Sequence, residues 1–345
     1  MSGRLLRLVC TAAVAAQAAL APLPAAAAPE PRRPVNELLA DLQKLYRKTE
    51  QATETYNATE EKLTKQRAEV KRLDGELVRA RLALQESRSA AGRLARQQYQ
   101  SSSDISPYVR LLLARDLQHA LDERHVIGQL ARERALTVGR LTNNEKRRGT
   151  LGRQARKALD AQLTLAQRQK KDRDDVRRRL ARVEVMLASL TPTQLTELTR
   201  LEQNKTTDAQ NKLVASGALG SERTPSQRGI AAVRYAEDQL GKPYQWGAEG
   251  PRSYDCSGLT SQAWDYAGTP IPRTSQEQWA QLPKVPLKDL RPGDLVIYFP
   301  EATHVAMYVG NGTVVQAPRP GGRIKLSPIA SNPILGAVRP DKRLS

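Results

Sequence analysis

Asp255-Cys256-Ser257-Gly258-Leu259 opens a stretch whose pattern suits a helix running to Tyr266. A thiol on the first turn of a helix faces backbone N–H groups that lack intrahelical partners, and the positive end of the helix dipole. Both favour the thiolate, which is the reactive form of cysteine. Asp255 has the right side chain to cap that helix. Another helical pattern spans 230–240, and short apolar runs predict strands at 294–299, 304–309, 313–317, 323–326 and 334–338. Asn311-Gly312, between two of those runs, is a hairpin turn signal. Residues 230–340 therefore predict one α+β domain, long enough to bury its own core.

Cysteine counting sharpens the interest in Cys256. The chain has two cysteines, Cys10 and Cys256. Cys10 lies in a segment with Arg4 and Arg7 at its start, an apolar run from Leu8 to Leu23, and then Ala25-Ala26-Ala27-Ala28-Pro29. That order of charge, apolar run and small residues predicts a signal peptide over residues 1–27, and the run is short for a membrane anchor. Export would leave Cys256 without an intramolecular partner, as an inert buried thiol, an intermolecular link or a reactive group.

A thiol nucleophile needs a base, and the chain offers three histidines. His119 and His125 fall in the long helical region. His304 opens the predicted strand His304-Val305-Ala306-Met307-Tyr308-Val309 in the same domain as Cys256. Across the Asn-Gly turn, Gln316 falls on the adjacent strand, where its amide oxygen can accept the imidazole N–H and set the tautomer. Arg273, Ser275 and Gln278 either line a cleft or serve the structure. Cysteine and histidine are too few for a zinc site, carboxylates show no ligand spacing, and no phosphate-binding glycine loop occurs, so no cofactor is expected.

The ordered stretches Tyr244-Gln245-Trp246-Gly247, Asp255-Cys256-Ser257-Gly258-Leu259, Pro272-Arg273-Thr274-Ser275, Arg291-Pro292-Gly293-Asp294 and His304-Val305-Ala306-Met307-Tyr308 resemble the NlpC/P60 family. The resemblance spans about a third of the chain. It implies a papain-like α+β fold and a cysteine endopeptidase acting on peptidoglycan stems, between γ-D-glutamate and the following diamino acid. By the same resemblance Cys256 is the nucleophile and His304 the base. Tyr244 assists substrate or oxyanion binding, and Asp255 and Ser257 grip a free stem amine. The third polar position is commonly histidine in that family, and Gln316 stands there in this chain.

The rest of the chain has a different texture. All three tryptophans (Trp246, Trp264, Trp279) and the single phenylalanine, Phe299, lie after residue 240. Upstream, residues such as Leu42, Leu45, Thr49, Ala52, Tyr56, Thr59 and Leu63 recur in three- and four-residue steps as far as Gln98, which predicts a coiled-coil helix. A turn is expected near 100–108, then a second long helix over 116–190 that bends at Gly149 and Gly152. A shorter helix is expected over 193–215. The predicted organisation is thus an antiparallel coiled-coil hairpin over 35–215, a linker over 216–229 and the α+β domain over 230–340. Of the +19 net charge, residues from 226 onward contribute 14 Lys and Arg against 10 Asp and Glu, so the excess sits upstream. Anionic wall polymers or a membrane-bound regulator suit that basic hairpin, besides peptidoglycan for the C-terminal domain. No nucleic-acid motif appears and stacking aromatics are scarce, so nucleic acid is not expected.

The reading that follows is an exported, secreted wall hydrolase whose hairpin docks or restrains it. Two others stay open: a thiol amidase or acyltransferase on another substrate, and a non-catalytic wall-binding scaffold.

Overall fold

A computed structural model describes residues 34–101, 107–112, 117–221 and 223–341. The predicted leader, and residues 102–106 of the predicted turn, lie outside the described residues. Helix α1 (Val35–Ser101) and helix α3 (Leu117–Ala188) are the two long helices, with the short α2 (Pro107–Leu112) between them. At ~1.5 Å per residue each long helix is on the order of 100 Å in length. They run antiparallel. Arg88 meets Glu145, Gln66 donates to the Ala158 carbonyl and Thr59 donates to Asp172, so the partner number rises as the α1 number falls. Their seam follows the predicted stripe, with Tyr46 added to it: Leu73, Leu77 and Ala80 pack with Leu151 and Ala158, and Leu42 and Tyr46 with Val183. Helix α3 continues through Gly149 and Gly152 without interruption, since one glycine costs a helix only about 1 kcal/mol and neighbouring turns hold it.

Helix α4 (Pro192–Ala215) starts where Thr191 and Gln194 cap each other and Pro192 sits on the first turn. It folds back so that Leu198 joins Leu38 and Leu39 at the start of α1. Its other end packs Leu213, with Leu219 beyond it, against the C-terminal domain. Gln210 fixes that contact by donating to the Gly312 carbonyl and accepting from the Ala330 N–H, at 3.1 Å each.

The C-terminal domain opens with α5 (Gln227–Glu237), three residues earlier than expected and inside the stretch read as linker. Ser226 explains the shift, because its hydroxyl accepts from the Gly229 N–H and caps the helix there. Helices α6 (Cys256–Tyr266) and α7 (Ser275–Gln281) follow, then strands β1 (Lys284–Val285), β2 (Leu295–Tyr298), β3 (His304–Gly310), β4 (Thr313–Gln316), β5 (Lys325–Pro328) and β6 (Ile334–Val338). The sheet is antiparallel throughout, in the order β1-β6-β2-β3-β4-β5. The β3–β4 turn uses Asn311 and Gly312, both with left-handed φ, of 50° and 64°, which is what an Asn-Gly hairpin turn requires. Leu295, Ile297, Val305, Met307 and Val315 cover one face of the sheet, with Leu259, Ala263 and Trp264 of α6 packed on them. Val296, Tyr298, Ala306, Tyr308 and Val314 point to the other face, towards Leu213 and Leu219. Burying both faces explains why these strands read as apolar runs rather than as alternating ones. No helix among the described residues is long and apolar enough to cross a membrane.

Candidate active site under the first helix

Helix α6 begins at Cys256 because Asp255 caps it, accepting from the Gly258 N–H at 2.6 Å. Gly258 is required there: a Cβ at that position would lie 2.3 Å from the Ala248 carbonyl oxygen. Asp255 is fully buried and has several more donors. Arg273 reaches both its oxygens, at 2.8 and 3.1 Å, and the Gly247 N–H reaches Oδ2 at 2.9 Å. The same guanidinium donates to Ser257 Oγ at 2.8 Å and pairs with Glu249 at the rim. Arg273 therefore ties the cap, the residue after the thiol and the rim into one unit, a role that sequence reading left between cleft and structure. An Arg273→Met variant leaves the buried Asp255 carboxylate without its cation and is expected to cost about 3–5 kcal/mol of stability. Urea unfolding of the purified protein measures this as a lower midpoint with an unchanged slope.

Of the other predicted site residues, His304 and Gln316 are bonded to each other. His304 Nε2 lies 2.7 Å from Gln316 Oε1, and the Gln316 amide nitrogen donates to Ser331 Oγ at 3.3 Å, which sets the amide the right way round. An amide oxygen can only accept, so Nε2 carries the proton and Nδ1 is left as the basic nitrogen. Nδ1 has no hydrogen-bond partner. Burial pushes the imidazole down to about 4, against the Gln316 hydrogen bond, which favours its charged form. Tyr244 belongs to the same cluster, with burial first and Cys256 second holding its phenol protonated. Ser257 flanks the thiol.

One expectation is reversed. The helix start was expected to favour thiolate, yet burial pushes the Cys256 thiol well above its ordinary range, and Glu54, Asp255 and Glu50 push it further in that order. Two of those carboxyls belong to α1, which lies directly over the site. Glu54 accepts from Ser257 Oγ at 2.8 Å and from the Ser275 N–H at 2.9 Å, and its other contact is Cys256 Sγ at 3.7 Å. Glu50 Oε1 lies 3.7 Å from His304 Nδ1. Asn57 donates to Asp255 Oδ2 at 3.0 Å, and Tyr56 meets Trp246 edge-to-face with centroids 5.1 Å apart. Cys256 is 2% exposed and His304 0%, so no polymer reaches either in this arrangement.

Sequence reading missed Glu50, Glu54 and Asn57 because they lie beside the apolar stripe, on what looks like a solvated face. Their i, i+4, i+7 spacing does place them on one face of the helix. Around them Thr49, Thr53 and Thr59 are buried as well. A helix buried on its polar side is the signal that something other than water covers it.

A family model described as NlpC/P60 matches residues 241–338. Among curated proteins, a probable endopeptidase of Corynebacterium glutamicum is 52% identical over 89 residues, covering 26% of this chain and 43% of that protein. A probable endopeptidase of Mycobacterium tuberculosis is 35% identical over 127 residues, covering 36% of this chain and 31% of that protein. The matched region thus spans less than half the length of these relatives. Among solved structures, the NlpC/P60 domain of the peptidoglycan hydrolase SagA is 30% identical, with 32% of this chain and 97% of that chain covered and a TM-score of 0.31.

Proposed function

We propose, from the match of residues 241–338 to the NlpC/P60 family model, that the protein is an exported cell-wall hydrolase in which Cys256 cuts the peptide stems of peptidoglycan and α1 holds the cleft shut. The observation that carries this reading is that one turn of α1 covers both groups: Glu54 touches Cys256, on the first turn of α6, and Glu50 lies beside a His304 that is hydrogen-bonded to Gln316. In the open cleft His304 Nδ1 takes the thiol proton, and the thiolate attacks the amide carbon. The backbone N–H of Cys256 and the Tyr244 hydroxyl stabilise the oxyanion. His304 returns the proton to the leaving amine, and water then hydrolyses the thioester.

Helix α1 supports the substrate class by what it presents. It places a carboxylate, Glu54, on Ser257 Oγ and the Ser275 N–H, and a donor, Asn57, on Asp255. A stem fragment with a free amine and a carboxylate beside the scissile γ-glutamyl amide offers the same two groups. Asp255 would take the amine where Asn57 now donates, and Ser257, which the resemblance assigns to the amine, would instead join Ser275 on the carboxylate. This fits cleavage between γ-D-glutamate and the diamino acid. Digestion of purified muropeptides followed by mass spectrometry tests it: new amino termini on the diamino acid are expected. Fragments cut elsewhere in the stem overturn the assigned bond, and acyl transfer without new amino termini overturns the peptidase.

The restraint follows from the same contacts. Glu54 occupies the cleft sterically, and burial beneath α1 keeps the thiol protonated. The hairpin carries the plug, and α4 grips the domain from the opposite face of the sheet, so an activating partner would work by drawing the hairpin away.

A further inference from the structure

The charges under α1 do not balance if every group is ionised. Glu50, Glu54 and Asp255 all turn into one buried space, and two of the three nearby guanidiniums, Arg273 and Arg319, already have carboxylates of their own. Arg273 is engaged by Asp255 and Glu249. Arg319, on the loop after β4, is held by both oxygens of Glu202 on α4, and its guanidinium stacks on Tyr46. Arg47, on α1 itself, lies over the Phe299 ring. The remaining neighbours are Cys256, the Tyr244 phenol and His304, whose Nδ1 is 3.7 Å from Glu50 and whose ring is wholly buried. Two carboxyl groups are left over, taken out of water without a cation dedicated to either. A buried ion in that position neutralises by taking up a proton.

We propose that closure of α1 over the cleft is proton-linked: the helix docks with the Glu50 and Glu54 carboxyls protonated and is released as they ionise. The proposal rests on the reading of α1 as a plug. A protonated Glu54 still accepts from Ser257 and Ser275. The Cys256 thiol beside it stays neutral in the same step, so closing silences the nucleophile twice.

The sign follows from the neighbours. Burial pushes Glu50 up to about 8, against Arg319 and with Glu54, and burial followed by Asp255 pushes Glu54 up to about 7. Both hold their proton more tightly docked than free, so docking is strongest at low pH and is lost as pH rises through 7 and 8. His304 works the other way, because it is pushed down to about 4 when docked and must lose a proton to be covered. That opposition ends above its ordinary 6.5, so the carboxyls govern the window from about pH 6.5 to 8. Cys256, raised in the closed state, acts in the same direction as the carboxyls.

Alkylation of Cys256 by iodoacetamide, followed by peptide mass, reads opening without any wall substrate. At each pH the rate in the natural chain is divided by the rate in a Glu54→Arg variant, which cancels the ionisation of the exposed thiol. The expected protection falls on the order of tenfold or more between pH 6.5 and 8. In a Glu50→Gln, Glu54→Gln variant, whose amides imitate the protonated carboxyls, protection is retained and its pH dependence is largely lost. Protection that is strong but constant with pH in the natural chain overturns proton linkage and leaves the plug standing. A full parallel fall in the glutamine variant, or an unprotected glutamine variant, overturns it too. No protection at any pH removes the plug reading itself, and this proposal with it.

Discussion

A Glu54→Arg variant of the full chain is expected to release soluble muropeptides from purified peptidoglycan at least about tenfold faster than the natural protein. The magnitude comes from what the substitution breaks. Glu54 accepts from Ser257 Oγ and the Ser275 N–H in a buried setting. A buried donor left without its acceptor costs about 1–3 kcal/mol. The new guanidinium would also lie beside Arg273, whose own charge is committed to Asp255 and Glu249. Together these disfavour docking by roughly 3–5 kcal/mol, and each 1.4 kcal/mol shifts an equilibrium about tenfold. The gain in rate stops once the cleft is mostly open, which is why the expected factor is smaller than the shift in equilibrium. The hairpin seam does not depend on Glu54, since Leu73, Leu77, Leu151 and Ala158 lie well along the helices from it, so the variant is expected to stay folded. An unchanged rate, in a variant whose Cys256 has become accessible to alkylation, would falsify restraint by this helix.

The two halves of the site were not equally legible in the sequence. Cys256, its cap Asp255 and the His304–Gln316 pair could be read because each follows from a short local pattern: a capped helix start, a strand and an Asn-Gly turn that brings the next strand alongside. Asp255 does cap α6, and His304 does bond Gln316 across the hairpin. The positions of α6 and of β2 to β6 were legible for the same reason, whereas the short α7 and the two-residue β1 were not. The end of the linker was off by three residues because Ser226 acts as a cap, which a glycine- and serine-rich segment hides. Arg273 was underestimated because its value lies in three partners, Glu249, Asp255 and Ser257, that are brought together only by the fold.

The insertion of α1 was not legible at all. Its contacts join Asn57 to Asp255 and Glu54 to Ser275 across about 200 residues of chain, and nothing in a heptad pattern says where a long hairpin will lie. The charge state of the thiol went wrong for that reason. Reading Cys256 from its own helix gave the thiolate, while burial opposes it first, and two of the three carboxyls that add to this, Glu54 and Glu50, come from another part of the chain. Even so, the polar spacing of Glu50, Glu54 and Asn57 was visible, and its lesson is general. When a long amphipathic helix keeps a second ordered polar face, that face is worth testing as an interface before it is assigned to water.

Adding Cys256→Ala to the Glu54→Arg chain is expected to lower muropeptide release at least about 10⁴-fold, to the level of untreated wall. The open background matters, because in the restrained chain a loss at the thiol would be hidden beneath the low rate that the plug already imposes. Removing the nucleophile leaves no activated group in the cleft to attack an amide: Ser257 Oγ is tied to Arg273 and to the Asp255 cap, whose carboxylate is itself paired with Arg273. Replacing His304 by alanine removes the only imidazole of the domain and is expected to fall nearly as far. Gln316→Ala is expected to lose less, about 10–100-fold, because it removes orientation and not the base. Its Nε2–H would then lack the acceptor now 2.7 Å away, and the ring would be free to turn. This order of losses separates a thiol mechanism from a scaffold that only binds wall. A scaffold would show equal release in all three variants, and equal binding to insoluble peptidoglycan would not rescue the catalytic reading. If instead Gln316→Ala matched Cys256→Ala, the glutamine would be acting on more than the tautomer, and His304 would depend on it for its position in the cleft.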